Sequence, residues 1–175
     1  MIRADLHIHT SHSPDASIHP KTIIEELNKH PTIKAAAITD HNTMEGYIKA
    51  KELAEDYTDI VLIPGAEISA IEGEIIILGL EQLPPTPWRV ENVVNHAHAN
   101  GGVVIAAHPY RGFGLGDLTR SFNVDAIETL NAITPLNLNK QAEDLAKVLN
   151  LPGVAGTDAH KPDELWTVST EIRST

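Results

Sequence analysis

Three short clusters of histidine and acid carry the chemistry written into this chain. Asp5-Leu6-His7-Ile8-His9-Thr10 stands near its start, Thr39-Asp40-His41-Asn42 follows, and Gly156-Thr157-Asp158-Ala159-His160 lies near the end. Each closes a short apolar run that reads as a strand. Imidazole and carboxylate gathered at strand ends are the donors that a divalent metal of hard to borderline character takes. Such a cluster narrows the chemistry to a few reaction types. His7 and His9 are two apart on an extended strand, so their side chains share a face and can meet at one ion. Asp5 reads as lying on that face too, where it would orient a ligand imidazole from behind. Asp158 and His160 repeat the two-residue spacing. Asp40 and His41 are adjacent and would point oppositely on a strand. Both reach one site only if the chain turns there, as Asn42-Thr43 suggests.

Other residues join them at strand ends. Glu67 follows Pro64-Gly65-Ala66 and is the carboxylate placed to bridge two ions. His108 terminates Val103-Val104-Ile105-Ala106-Ala107 and is followed by Pro109; it is either a ligand or a satisfied core group. Glu128 closes a fifth strand, with Asn131 three residues on, and is expected to support the ligands from behind. Arg111 follows His108-Pro109-Tyr110. Its planar fork suits a phosphate, although a solvated loop arginine would read the same way. His96 and His98 are i and i+2 in a helix, about 200° apart, and cannot share an ion. His19 and His30 flank a helix without a partner pattern, and His12 has no assigned role.

Positioning these groups falls to alternating strands and helices. Strands are expected over Ile2 to His7, Lys34 to Thr39, Asp59 to Pro64, Val103 to Ala107, Val124 to Leu130, Val154 to Thr157 and Trp166 to Ile172. A hairpin around Glu72-Gly73 is added to the third. Helices are expected over Pro20 to His30, with Ile23, Ile24 and Leu27 on one face, and over Thr43 to Tyr57, with Thr43 as cap and Met44, Ile48 and Leu53 inward. Two more run from Pro87 to Asn100 and from Leu138 to Leu149. About seven apolar strands alternating with helices imply a parallel sheet. Six strands delivering polar residues to one place require that sheet to curl into a barrel. The stretch 110–118, with Gly112, Gly114 and Gly116, reads as a mobile loop.

The bulk properties narrow the class. At 175 residues with 42% hydrophobic and 21% charged content, the chain reads as one globular domain over 1–175. No cysteine is present, so there is neither a disulfide framework nor a thiolate site. No run approaches a membrane span, and Asp5, His7 and His9 interrupt any leader at once. A cytoplasmic setting is therefore expected. Acids outnumber bases 24 to 13, which argues against a long nucleic acid as partner and for a small phosphorylated substrate.

Asp5-Leu6-His7-Ile8-His9-Thr10, Asp15, Thr39-Asp40-His41-Asn42, Gly65-Ala66-Glu67, His108-Pro109 and Gly156-Thr157-Asp158-Ala159-His160 together resemble the PHP (polymerase and histidinol phosphatase) superfamily. The resemblance covers nearly the whole chain in motif order. It implies a distorted seven-stranded (β/α) TIM-like barrel of PHP type with two to three divalent metal ions, Zn, Mn or Fe. By position it places one ion on His7, His9, Glu67 and Asp158, a second on Glu67 and His108, and a third on Asp15, His41 and His160. It also implies a phosphoesterase, with Arg111 clamping phosphate and Asp40 and Glu128 supporting the ligands. The competing readings are an amidohydrolase-type hydrolase and a non-catalytic metal-binding regulatory domain. One position departs from the pattern. Many members carry a histidine ligand immediately before Ile-Leu-Gly in the hairpin, where this chain has Ile76. The second ion is therefore expected to be weakly held, open to water, or absent.

Overall fold

Aliphatic runs broken by glycine and proline become strands, and the amphipathic stretches between them become helices. The computed structural model describes residues 1–173. The order is β1 (Ile2–Ile8), α1 (Pro20–Lys29), β2 (Ile33–Ile38), α2 (Glu45–Leu53), β3 (Val61–Ser69), β4 (Glu74–Leu78), α3 (Val90–Ala99), β5 (Val103–Ala106), β6 (Ala126–Asn131), α4 (Leu136–Leu149), β7 (Gly153–Gly156) and β8 (Thr170–Ile172). The strands form one sheet in the order β7-β6-β5-β4-β3-β2-β1-β8.

The sheet curls until its two ends nearly meet. Just beyond β7, Ala159 makes a parallel bridge to Ile8. There the Asp158 N–H donates to the His7 carbonyl at 2.7 Å and the His9 N–H to the Ala159 carbonyl at 3.0 Å. On the far side the Ala155 N–H donates to Thr170 Oγ1 of β8 at 2.7 Å. The result is an α/β fold around a nearly closed barrel.

Two expectations about the sheet change. It has eight strands rather than seven, and it is mixed rather than parallel. The hairpin strand β4 is a full member, antiparallel to both β3 and β5, and β8 runs antiparallel to β1. β3 is long enough to serve two partners. Its first half pairs with β2 in parallel, and its second half pairs with β4, with Glu67 opposite Ile76 and Ser69 opposite Glu74.

The core has two layers. Ala4, Leu6, Ala35, Ala37, Ile76, Leu78, Ile105 and Ala126 pack inside the barrel, and small residues on β1 and β2 suit its narrow bore. Ile8, Ile38, Ile75, Ile77, Val104 and Ile127 face outward and meet Ile23, Ile24 and Leu27 of α1, Val93 and Ala97 of α3, and Ala142 and Leu145 of α4. Each large aliphatic side chain so buried is worth about 1.5–3 kcal/mol before entropy is counted. Leu6 packs inside and Ile8 outside, although both are even-numbered. The pairing of β1 with β2 slips between Asp5 and Ile8, and this bulge resets the alternation just ahead of the site, a common place for one.

Around α2, Met44 is buried in the core and Leu53 packs against it, as expected, but Ile48 turns out. Ile48 is 49% exposed, and the buried positions are Gly46, Tyr47 and Ala50. Gly46 sets this phase: a Cβ there would collide with the Asp40 carboxylate and the Thr10 hydroxyl, so the helix presents its glycine, rather than an aliphatic side chain, to the barrel. Among the described residues no helix is long and apolar enough to cross a membrane.

Candidate metal centre

The C-terminal ends of the strands bring the expected residues to one mouth. His7 (β1), His9 just past it, Glu67 (β3) and Asp158 just past β7 are all at most 2% exposed. The His7 and His9 Nε2 atoms lie 3.1 Å apart. Each also lies 3.1–3.3 Å from Glu67 Oε2 and from Asp158 Oδ1. Four donor atoms thus converge within 4.8 Å of one another.

The supporting hydrogen bonds fix which nitrogens face inward. His7 Nδ1 lies 2.9 Å from Glu128 Oε1 and can only donate to that carboxylate. The Ser13 hydroxyl gives its one proton to Asp40 Oδ1 at 2.7 Å, so it accepts from His9 Nδ1–H at 3.1 Å and from the His41 N–H at 3.0 Å. The neutral forms of His7 and His9 therefore both turn an Nε2 lone pair on the point that the two carboxylates face. Glu67 Oε2 is buried and accepts no hydrogen bond. Four acceptors around one point with no proton between them fit a divalent cation, with histidines held by carboxylate and hydroxyl behind them.

Without a cation the cage draws protons instead. Burial by itself would push both imidazoles down. Asp158, Glu128 and Glu67 overcome it and hold His7 well above its usual value, and Asp158 and Glu67 raise His9 to about 9. Burial likewise opposes ionisation of Glu67 and Asp158, but the adjacent histidines hold both carboxyls below the ordinary range. Cation uptake at pH 7 must expel these imidazole protons. Calorimetric Mn²⁺ titrations in buffers of different ionisation enthalpy should show net proton release. Affinity should rise with pH until His9 is neutral, near pH 9. Affinity independent of pH between 6 and about 9 would show that the imidazoles are not the ligands.

Two further clusters adjoin the first. His41 Nδ1 is 3.2 Å from Glu67 Oε2, and its Nε2 is 3.5 Å from Asp15 Oδ2. His160 Nε2 lies 3.4 Å from the same Asp15 oxygen, and its Nδ1 donates to the Asp158 carbonyl at 2.7 Å. Asp15, His41 and His160 are therefore together, as expected. Burial holds His41 below its usual value, in the neutral form a cation needs. On the other side His108 Nε2 meets Glu67 Oε1 at 3.0 Å, so Glu67 stands between both clusters. His108 has φ 22° and Asp158 φ 55°. Left-handed backbone at two non-glycine site residues is strain that the surrounding pairing sustains. Asn42, at φ 58°, supplies the turn that lets Asp40 and His41 serve one site.

The supporting residues are placed as follows. Glu128 is 1% exposed; besides His7 it accepts from the His108 N–H at 2.8 Å and from Asn131 Nδ2 at 3.1 Å. Asp40 accepts from the Thr10 N–H, the Thr10 hydroxyl and Ser13, each at 2.7 Å, and so braces His9 through Ser13. Asp5 does not contact an imidazole ring. The bulge turns it away from the His7 ring: its carboxylate accepts from the His7 N–H at 3.3 Å and from Thr157 N and Oγ1 at 2.9 and 2.6 Å, tying the chain beyond β7 to β1; burial raises its carboxyl to about 7. Arg111 is in the site, but its Nη2 donates to Asp158 Oδ2 and its Nε is buried without a partner. Two residues at the site carry no forewarning in the motifs. Ser13 is one; the other is Glu74, whose side chain is 14% exposed and whose Oε2 lies 3.8 Å from His108 Nε2. His12, His19 and His98 stand elsewhere, against Glu45, the α1 N-terminus and Asp125.

A nearly closed α/β barrel with convergent imidazoles and carboxylates at the strand ends defines a class of barrel proteins with a metal-ready mouth. A model of the PHP domain matches residues 5–151, and one of the PHP-associated region matches 137–175. The chain belongs to the PHP domain family. It is 35% identical over 162 residues to an uncharacterized protein of Methanocaldococcus jannaschii, covering 82% of this chain and 94% of that one. Among solved structures the fold is similar to a presumptive metal-dependent phosphoesterase from Bifidobacterium adolescentis (TM-score 0.71, 17% identity, 90% and 87% of the two chains). It is also similar to an amidohydrolase from Chromobacterium violaceum with bound sulfate (0.75, 17%, 97% and 92%) and to PsfC from Pseudomonas syringae (0.73, 21%, 97% and 81%).

Proposed function

We propose that this protein is a metal-dependent phosphoesterase acting on a small phosphomonoester or nucleotide. The observation that carries the reading is the arginine set against the cage. Arg111 reaches the carboxylate of Asp158 from the loop after His108 and lines a cleft of about 190 Å³. That cleft is lined by Asp15, His41, Glu67, Glu74, His108, Asp158 and His160. A planar fork of donors beside a cation cage matches the oxygens of a phosphoryl group better than it matches a neutral amide.

Divalent cations supply two things in such a cage: a water acidic enough to act as nucleophile near pH 7, and neutralisation of the phosphoryl charge. The chain does the rest. Glu128 and Ser13 hold His7 and His9 in the tautomers that keep their Nε2 atoms inward. Asp158, bridged to Arg111, fixes the guanidinium where a phosphate oxygen would lie. Glu74, Gly112 and Phe113 line both the cleft and an adjoining hollow of about 450 Å³ formed by 69–74 and 112–114, which leaves room for the alcohol portion of a small ester. The neighbours described as a presumptive metal-dependent phosphoesterase and as an amidohydrolase agree with hydrolytic use of this fold. The acidic surplus of the chain favours a small substrate over a polymer.

The test is turnover of p-nitrophenyl phosphate by the Mn²⁺-loaded protein, set beside a panel of cyclic amides and carboxylic esters. Phosphate release that EDTA stops and Mn²⁺ restores is expected. Activity confined to amides or carboxylic esters would replace the reading with the amidohydrolase one, and tight metal binding with no turnover would favour a regulatory domain. Arg111→Ala should raise KM about 10- to 100-fold, the worth of a charged hydrogen bond, with metal content kept. An unchanged KM would remove Arg111 from substrate contact.

A further inference from the structure

Inside the barrel, Glu67 of β3 and Ile76 of β4 stand directly opposite each other. Ile76 is 1% exposed and belongs to the inner apolar cluster, so β4 gives Glu67 no donor at the matching position. Side chains of a strand return to the same face every two residues. The next inward position toward the mouth is Glu74, paired with Ser69. A glutamate is long enough to reach back from there: one oxygen each of Glu67 and Glu74 and a nitrogen of His108 lie within 4.8 Å of one another.

The surroundings of Glu74 leave it wanting a cation. No described residue donates a hydrogen bond to its carboxylate, and its one ion-pair neighbour is His108 Nε2 at 3.8 Å. Arg111, which lines the same cleft, is committed to Asp158. Beside it Glu67 turns its Oε1 to this side, where its one partner is the same His108 Nε2, at 3.0 Å. Two mostly buried carboxylates side by side repel unless a positive charge lies between them.

We propose that Glu74 is a ligand of a second cation, held with Glu67 and His108, so that β4 contributes its donor from two residues nearer the mouth than Ile76. This rests on the reading of the barrel mouth as a multinuclear metal centre. It replaces the expectation of a poorly held second ion with a three-residue site of two carboxylates and one imidazole. That oxygen-rich set suits Mn²⁺ or Fe²⁺ better than a site built from imidazoles alone.

Calorimetric titration of metal-free protein with Mn²⁺ tests the assignment without reading turnover. The wild type should show a tight event and a weaker one. E74Q should weaken the weaker event about tenfold or more and leave the tight one unchanged. H108A should affect the same event, and the double variant should lose no more than the more severe single one. I76H in the E74Q background should restore the second event. E74Q should keep the metal-free melting temperature of the wild type, which separates loss of a ligand from loss of the fold. A wild type with no second event, or an E74Q titration superimposable on wild type, overturns the proposal. Two bound ions without phosphoester turnover would sink the functional reading and leave Glu74 in place.

Discussion

Glu67→Gln is expected to lower kcat/KM for phosphoester hydrolysis at least about 10³-fold and to strip the protein of most of its metal. The size follows from geometry. Glu67 is the one carboxylate within 3.3 Å of His7, His9, His41 and His108 nitrogens at once. An amide there has the same volume but half the acceptor capacity and no charge. It would leave Asp158 as the only nearby carboxylate facing the His7 and His9 pair. The backbone need not suffer, because the Glu67 N–H and carbonyl remain paired with Asp40 and Asn42. A variant that folds at wild-type temperature yet binds less metal is the expected result. Wild-type metal content with full turnover would remove Glu67 from the centre.

The second large effect is expected at a residue with no functional group. Gly156 ends β7 against β1, and a Cβ there would strike the His7 side chain and come within 2.8 Å of Glu128 Oε1. Gly156→Ala must therefore move His7, Glu128, or both. Overpacking of this kind costs about 1–3 kcal/mol of stability. The larger consequence is for the centre, since displacement of a reacting group by about 1 Å can cost about 10²-fold in rate. The variant should melt lower, and its kcat should fall by about that factor even where metal is in excess. Wild-type kcat and melting temperature together would show that the barrel seam gives way without disturbing His7.

These two residues also show how much the sequence disclosed. His7, His9, Asp158 and His160 were legible because period-two spacing at the end of an apolar run survives whatever the strand does next. Glu67 and His108 were legible as polar residues terminating apolar runs. Its position after His108 puts Arg111 beside the cleft, but a loop position says nothing about which carboxylate lies across the barrel, so its pairing with Asp158 was not legible. Asp5 was misassigned for one reason: a bulge between Asp5 and Ile8 changes the face of the strand, and no residue type there announces it. Ile48 was misassigned because a glycine contact with Asp40, rather than aliphatic burial, sets the phase of α2. Ser13 and Glu74 were missed because their roles depend on reach across elements. Ser13 connects Asp40 to His9 from a loop, and Glu74 becomes a site residue only through the antiparallel register of β3 and β4. That register also accounts for the eighth strand, since a hairpin seen in sequence does not show that its second strand will bind β5.

His7 Nε2, His9 Nε2, Glu67 Oε2 and Asp158 Oδ1 converge on one point in space, and a cation there is the central claim. Anomalous scattering from a crystal grown with Mn²⁺ addresses it most directly. A Mn²⁺ peak is expected among those four atoms, with His7 still donating to Glu128 and His9 to Ser13. A crystal that shows no peak there, with the four side chains closed upon one another in excess Mn²⁺, would contradict it.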